Sequence, residues 1–438
     1  MRKRIIFSLF LLAGLVIYKY PSFSSFKIVI TTVILIEIFS FTVVKLLNRR
    51  SQLIITSADK NPELSWDGLL KFFKSGYDQE LGWIRKPNTR KEEKGKNGAA
   101  TYNIDKYGAR KNPEHEDWPT DISCYGDSFT FARQIDDNQT WEWFLSEYSK
   151  TNVVNFGVGN YGIDQALLRL KREFPKKRTR IVIMGIVPST IIRILSVWKH
   201  YHDYGNTFGF KPVFVINNGR LKLIPNPLDS EDKFFRYDEY LKDIQKYDYF
   251  YKNKFKREML RFPYSIAIIS NPLYHFGTLL IAALSPPTRR EKEKTRRRQD
   301  AKAGVILNFL RSINLRMNGV PSADLFKKKN PVELLTGIIH EFIDYAAEEN
   351  FTPVLLIMPQ KEDIVSMQYH SSYYKDFAEK ISSKIYTIDL TGMISSFKNL
   401  DEMYTDDSKY GGHFSSKGNE AAAKEIYERL KQWNLLSK

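Results

Sequence analysis

Short apolar runs alternate with helix-like segments from Asp121 onward, and this alternation limits the fold more than any other feature of the chain. It predicts a strand ending at Ser128, a helix near 139–148, a strand at 153–156, a helix at 164–174 and a strand at 181–187. Further strands are predicted near 351–359 and 384–390, with a final helix at about 419–433. Because strand, helix and strand at this spacing require a crossover connection, the pattern indicates a mainly parallel sheet covered by helices.

The first of these strands ends abruptly in Gly126-Asp127-Ser128. Open α/β sheets bind their ligands at the carboxyl ends of the strands, so a serine at this position is a candidate nucleophile. The same three residues are also common in ordinary turns, which is the alternative reading. The one cysteine of the chain, Cys124, lies inside this strand and is expected to fill the core.

A serine nucleophile requires a nearby base. Of the seven histidines, His413 stands out because it lies in a glycine-containing loop just before the predicted last helix. Asp406 and Asp407 lie a few residues upstream, where one of them could orient the imidazole ring through its second nitrogen. A loop histidine that only contacts the start of the helix is the alternative reading.

Three sequence blocks, in order, resemble those of the SGNH hydrolases, also called GDSL esterases and lipases. They are Gly126-Asp127-Ser128-Phe129, the segment 153–162 (VVNFGVGNYG), and Gly412-His413-Phe414-Ser415. The resemblance implies a three-layer α/β/α sandwich, of the SGNH or flavodoxin-like type, in which a serine and a histidine cleave or transfer acyl groups. Carried over, Ser128 is the nucleophile, His413 is the base, and the Ser128 N–H is one oxyanion donor.

The chain departs from the family pattern at three places. The glycine whose N–H usually completes the oxyanion hole falls on Asn160, with Gly159 and Gly162 as neighbours in an alternative register. Where the family has an oxyanion-binding asparagine, this chain has Ser189 and Thr190, whose hydroxyls are candidate donors. The family's usual acid lies three residues before the histidine, where this chain has Tyr410. Either Asp406 or Asp407 therefore takes the place of the acid, or the site works as a Ser-His dyad.

The leading functional hypothesis is a membrane-anchored serine acyl-ester hydrolase that acts on a lipid or glycan ester through an acyl-enzyme. Two alternatives remain open. One is an O-acyltransferase that modifies a cell-surface polysaccharide with the same residues, and the other is a non-catalytic binding or assembly protein with an SGNH fold. The sequence contains no metal cluster, dinucleotide fingerprint or phosphate loop, so neither a metal nor a cofactor is expected.

Two apolar runs, 5–17 and 28–44, predict a transmembrane hairpin over residues 1–50. Basic residues lie before the first run and after the second, which by the positive-inside rule favours a cytoplasmic location for both ends. Two lysines in the intervening loop count against this assignment, so the membrane face of the enzyme stays open. Glu37, within the second run, is interpreted either as a functional carboxyl or as a residue facing a neighbouring helix.

The rest of the chain is divided into a β-rich lead-in segment, 51–119, and an SGNH-like domain, 120–438, with an insertion at about 188–349. The net charge is +17, and residues 251–330 carry 18 Lys and Arg against 5 Asp and Glu. This charge predicts contact with an anionic membrane surface. No nucleic-acid-binding motif accompanies the charge, so no nucleic acid partner is expected.

The run 266–284 contains no formal charge, although Asn271-Pro272 interrupts it. A single membrane crossing here would separate Ser128 from His413. We therefore expect a membrane-surface or re-entrant segment. The alternative is a buried hairpin that packs on the sheet.

Overall fold

The computed structural model describes residues 24–50, 62–95, 98–203, 205–284, 319–367, 372–405 and 412–436. The chain forms two compact units. One contains residues 1–63 and 250–320 and is called the helical unit, and the other contains residues 64–249 and 321–438 and is called the α/β unit.

The strands of the described residues all lie in the α/β unit. They are β1 Tyr77–Asp78, β2 Gly82–Trp83, β3 Arg90–Gly95, β4 Gly98–Asn103, β5 Thr120–Gly126, β6 Asn152–Asn155, β7 Ile181–Ile186, β8 Val213–Asn217, β9 Arg220–Ile224, β10 Thr352–Ile357 and β11 Tyr386–Asp389.

The helices lie in both units. They are α1 Ser24–Arg50, α2 Trp66–Ser75, α3 Trp141–Ser149, α4 Ile163–Glu173, α5 Thr190–Arg193, α6 Glu231–Phe235, α7 Tyr237–Tyr247, α8 Lys256–Glu258, α9 Tyr264–Ser270, α10 Pro272–Leu284, α11 Ser322–Phe326, α12 Lys329–Glu349, α13 Lys361–Met367, α14 Lys375–Ser382, α15 Thr391–Ser395, α16 Leu400–Met403 and α17 Ser416–Gln432. Single 3₁₀ turns lie at Asp137–Gln139, Phe174–Lys176 and Lys199–Tyr201, and a π turn lies at Tyr251–Phe255.

A five-stranded parallel sheet, with the order β11-β10-β7-β5-β6, forms the centre of the α/β unit. The chain leaves β5 toward one edge to form β6, returns past β5 to form β7, and then continues toward the other edge. In a sheet of this order the strand sequence reverses between β5 and β7. In open α/β sheets, ligands bind at such a switch point, outside the carboxyl ends of the strands. Ser128 follows the end of β5 there.

Helices cover both faces of the sheet. Ile122 and Cys124 of β5 belong to the core that includes residues of α3 and α17, whereas α4 packs on β5 and β7 together with α12 on the other face. All six residues of β7 are buried, as expected for a parallel strand that is covered twice. The predicted three-layer α/β/α architecture is therefore confirmed.

Two antiparallel hairpins precede the sheet. β1 pairs with β2, and β3 pairs with β4. The second hairpin is attached to the loop that follows Ser128, because the N–H groups of Thr101 and Asn103 donate to Asp136 (2.8 Å) and Asp137 (3.0 Å), respectively. The lead-in segment thus helps to hold the loop that follows the candidate nucleophile.

The segment interpreted from sequence as an insertion, at about 188–349, is divided between the two units. Residues 188–249 and 321–349 lie in the α/β unit, and residues 250–320 lie in the helical unit. α12 buries Leu335, Ile338, Ile339 and Phe342 and leads directly into β10. α12 packs on α4 and on β10, the position of a crossover helix that leads into β10.

In the helical unit, α1 is long and apolar enough to cross a membrane, by length and composition. Large apolar side chains along it are exposed, among them Leu35 (60%) and Phe39 (71%). The first half of the predicted hairpin, 5–17, lies outside the described residues.

The apolar run 266–284 forms two helices, α9 and α10, which meet at an angle of 115°. The break falls at Asn271-Pro272, since proline has no N–H to donate and disfavours helical geometry in the residue before it. Both helices pack on α1, yet Ile269 (72%) and Leu273 (69%) remain exposed. Both helices therefore leave large apolar side chains exposed in addition to the surface that packs on α1.

Glu37 joins α1 to the start of α9. Its carboxylate accepts hydrogen bonds from the N–H groups of Tyr264 (2.6 Å) and Ser265 (2.9 Å) and from the Ser265 hydroxyl (2.6 Å). Of the two interpretations of Glu37, the contacts match the one in which it faces a neighbouring helix.

Candidate functional site

Ser128 lies in a tight turn that begins where β5 ends. The side chain of Asp127 accepts the N–H of Phe129 (2.8 Å), and its carbonyl accepts the N–H of Phe131 (2.9 Å). A Cβ on Gly126 would lie 2.3 Å from the carbonyl oxygen of Gly185 on β7, so only glycine fits at the position that leads into the turn. The sequence block therefore reflects close strand packing as well as turn chemistry.

The backbone N–H groups of Ser128 and Asn160 are the candidate donors for an oxyanion. Asn160 has a φ of 67°, the left-handed conformation that asparagine tolerates better than most residues. A Cβ built on Gly159 would lie 4.0 Å from the Ser128 Cβ, which puts the two turns in contact. Among the residues that the structure describes, no acceptor bonds to the N–H of Ser128 or Asn160, so both are available to a ligand.

The hydroxyls of Ser189 and Thr190 have other partners. Ser189 Oγ donates to Gln360 Oε1 (2.7 Å), and Thr190 Oγ1 accepts the N–H of Ile163 at the start of α4 (3.0 Å). These contacts join the residue before α5 to the residue before α13, and α5 to α4. The two backbone groups of the β5 and β6 loops are therefore the stronger oxyanion candidates.

His413 lies next to the turn of Ser128, with its ring 5.0 Å from that of Phe129. Its Nδ1 is 2.9 Å from Gln134 Oε1. Because an amide oxygen only accepts hydrogen bonds, Nδ1 must carry the proton, which leaves the lone pair on Nε2. Thr405 Oγ1 donates to the same oxygen (3.0 Å) and thereby helps to orient the amide. Ser128 and His413 are not hydrogen-bonded to each other in this structure.

Burial lowers the pKa of His413 to about 3, and the positive charges of Arg133 and Arg193 contribute to the shift. The imidazole is therefore neutral at physiological pH, as a general base must be. The positive charges of the two arginines thus disfavour an imidazolium at this position.

The loop that carries Gln134 has an unusual backbone. Ala132 (φ 53°) and Gln134 (φ 68°) both adopt left-handed conformations, each of which costs about 1 to 2 kcal/mol outside glycine. Such outliers persist where the surroundings fix them, often at functional sites.

Arg110 holds the loop that carries Gln134 in place by hydrogen bonds. Its guanidinium donates to the carbonyls of Phe131, Ala132 and Ile135 and to the carboxylate of Asp137. The side chain is 1% exposed. A single buried cation thus holds the strained loop and, through it, the hydrogen-bond partner of His413.

Sequence reasoning missed Gln134 and Arg193. Arg193 Nη1 donates to Asp127 Oδ2 (2.6 Å) and to the carbonyl of Tyr161 (2.9 Å), which links the β5 and β6 loops. Neither residue belongs to a recognisable motif, because α5 and the 131–135 loop reach the site only through the fold. Asp406 and Asp407, the candidate acids, lie outside the described residues. Within the described part of the chain, no three His, Cys, Asp or Glu side chains are grouped as a metal site requires.

A cavity of about 420 Å³ opens next to Asn160, one of the two candidate oxyanion donors. Gly159 and Asn160 form one side of it, and Trp83 and Phe208 contribute aromatic surface. A second cavity of about 290 Å³ shares Trp83, Asn160 and Lys199 with the first and extends toward Ser189. Together the cavities provide room for a substrate on the side of Asn160.

Neither a protein-family model nor a curated protein matches this chain. Among solved structures, a protein assigned to the lipolytic G-D-S-L family from Desulfitobacterium hafniense is similar, at 12% identity over 71% of this chain and 99% of that one, with a TM-score of 0.32. A lipase/acylhydrolase from Enterococcus faecalis aligns at 12% identity over 72% and 96% of the two chains, with a TM-score of 0.32. The esterase EstA from Pseudoalteromonas aligns at 10% identity over 72% of this chain and 99% of that one, with a TM-score of 0.28. Likeness at this level does not establish a family for this chain.

Proposed function

We propose that this protein is a serine acyl-ester hydrolase with Ser128 as nucleophile and His413 as base. The observation that carries the proposal is the hydrogen bond between His413 Nδ1 and Gln134 Oε1, which fixes the tautomer that leaves Nε2 free to accept a proton. The available N–H groups of Ser128 and Asn160 support it further.

In the proposed reaction, Ser128 Oγ attacks the ester carbonyl while His413 Nε2 takes the hydroxyl proton. The carbonyl oxygen becomes an oxyanion that accepts hydrogen bonds from the N–H groups of Ser128 and Asn160. Collapse of this intermediate breaks the bond to the alcohol, which leaves with the proton from His413. Water then attacks the acyl-enzyme with the same base and releases the acid.

Labelling with a fluorophosphonate probe tests the nucleophile. The wild-type protein is expected to react covalently, because a serine beside a neutral imidazole and two N–H donors is activated toward phosphorus. Ser128→Ala is expected to abolish the label, as measured by in-gel fluorescence. Ser382→Ala is the matched control, because this exposed hydroxyl donates to the carbonyl of Glu379 on its own helix. Absence of label on folded wild-type protein, or label that survives Ser128→Ala, would contradict the assignment.

We further propose that the helical unit anchors the enzyme in a membrane, with α1 as a span and the bent pair α9–α10 as a re-entrant segment. The exposed apolar side chains of all three helices support membrane contact. Chain topology supports the re-entrant form. β7, before residue 250, pairs with β10, after residue 320, so the intervening segment must return to the side of the membrane from which it entered.

Glu37→Ala is expected to release α9 from α1. The substitution leaves three hydrogen-bond donors without their acceptor, which is costly in an apolar environment. The measurement is trypsin cleavage of membrane-embedded protein after the basic residues next to α9, for example Arg261, which we expect to become at least several-fold faster. Glu37→Gln, which keeps one amide oxygen as an acceptor, should give an intermediate rate. Equal cleavage of all three proteins would show that Glu37 does not hold α9 in place.

A further inference from the structure

We infer that the ester substrate of this enzyme carries an anionic group, a carboxylate or a phosphate, which binds in the 420 Å³ cavity beside Ser128. The inference rests on the proposed function, since it names the substrate class of the same site. Four cationic side chains and one carboxylate line this cavity: Arg85, Lys91, Arg133, Lys199 and Glu93.

The cavity reaches the nucleophile through the position of Gly159. A Cβ built there would lie 4.0 Å from Ser128 Cβ, 3.9 Å from Arg85 Nη2 and 3.8 Å from Arg133 Cδ. Arg85 Nη2 and Ser128 Cβ are therefore no more than about 8 Å apart. Because glycine has no side chain, only a carbon-sized space separates Ser128 Cβ from the two arginines, so an anion a few bonds from the scissile carbonyl would reach them.

The two arginines are held in place before any ligand binds. Glu93 accepts a hydrogen bond from Arg133 Nε (2.9 Å) and lies 3.5 Å from Arg85 Nη2. Arg85 also stacks on the rings of Tyr102 and Phe131. Preorganised guanidinium groups suit the planar carboxylate and the phosphate oxygens particularly well.

The remaining cations are poorly compensated. Lys199 pairs with Asp203 at 3.4 Å, but this carboxylate is half exposed and screened by solvent. Burial lowers the pKa of Lys199, and the nearby charges of Arg193 and Arg133 contribute in the same direction although Asp203 opposes them. Burial and the charge of Arg85 similarly lower the pKa of Lys91. A bound anion would offset the mutual repulsion of these groups.

Two matched pairs of chromogenic esters test the inference. The first pair is 4-nitrophenyl butyrate and the 4-nitrophenyl half-ester of succinate, which differ by a carboxylate on the acyl side. The second pair is 4-nitrophenyl acetate and 3-carboxy-4-nitrophenyl acetate, which differ by a carboxylate on the alcohol side. We expect a higher kcat/KM for the anionic member of at least one pair. Lys199→Gln should reduce the ratio of the anionic to the neutral kcat/KM in that pair about tenfold.

Lys176→Gln is the control for charge, because Lys176 is an exposed lysine that pairs with Glu173 away from the cavity. It should leave both members of each pair unchanged. A wild-type preference for the neutral ester in both pairs, or an equal effect of Lys199→Gln on both members, would overturn the inference.

Binding without turnover separates this inference from the proposed function. In Ser128→Ala, titration calorimetry with inorganic phosphate and with glucuronic acid should show saturable binding of at least one anion, weakened by the added Lys199→Gln. Binding of phosphate alone indicates a phosphorylated substrate, and binding of glucuronate alone indicates a uronic acid. If neither anion binds, the anion site is wrong even if neutral esters are hydrolysed. If an anion binds but no ester is turned over, the failure lies with the hydrolase proposal.

Discussion

Gln134→Met is expected to lower kcat by roughly three orders of magnitude while the protein stays folded. The variant removes the acceptor of the His413 Nδ1 proton but keeps a side chain of similar length. Without that acceptor, the proton is free to reside on Nε2, and the ring can no longer accept the proton of Ser128. Steady-state hydrolysis of a neutral 4-nitrophenyl ester measures the loss, with circular dichroism as the check on folding.

Gln134→Glu is the informative companion because it should move the pH profile. In the wild-type protein the pKa of His413 is about 3, so the base is neutral, and kcat/KM should stay flat from about pH 4 upward as far as this group is concerned. A carboxylate at Gln134 would stabilise the imidazolium and raise the pKa of His413. Since only the neutral ring acts as the base, the acid limb should move to higher pH. Unchanged activity in Gln134→Met and an unmoved limb in Gln134→Glu would together show that Gln134 does not position His413.

Arg110→Met is expected to destabilise the α/β unit by about 3 to 5 kcal/mol, the usual cost of removing one partner from a buried ion pair. The loss leaves the carboxylate of Asp137 buried without its cation and frees three loop carbonyls. Denaturant unfolding followed by tryptophan fluorescence would measure the change in unfolding free energy. We expect the strained turns at Ala132 and Gln134 to relax first.

Arg110→Lys and a double-mutant cycle with Asp137→Asn separate charge from geometry. Lysine keeps the charge but cannot serve three carbonyls and a carboxylate with one fixed fork. A loss in Arg110→Lys close to that in Arg110→Met would assign the stabilisation to the hydrogen-bond geometry. A loss below about 0.5 kcal/mol in Arg110→Met would contradict the role given to this residue.

The sequence was sufficient for the sheet because its strands are short apolar runs that are buried on both faces, and such runs are visible without a structure. β5, β6, β7, β10, β11 and α17 all form within a few residues of the predicted positions. The glycines near Ser128 were visible for a similar reason, since close strand packing and left-handed turns limit which residues fit.

The surroundings of His413 could not be predicted from local sequence patterns. Gln134 is 279 positions away from it in the chain and takes its conformation from a loop that Arg110 and Asp137 hold by side-chain contacts. No local pattern encodes such a set of contacts. The position of α12 in the α/β unit could not be predicted for a different reason. Its apolar positions have the same periodicity in a crossover helix as in a helix of an insertion.

The pairing of β7 with β10 also determines how long one edge of β7 stays unpaired while the chain is being synthesised. The two strands are neighbours in the sheet, yet the ribosome must translate everything between Ile186 and Thr352 before the second can form. At typical translation rates of 5 to 20 residues per second, the hydrogen-bonding edge of β7 waits unpaired for roughly 10 to 30 s. An exposed parallel edge is a site for aggregation. Cells that make this protein should therefore need a chaperone, or early capture of residues 250–320 by the membrane, during that interval.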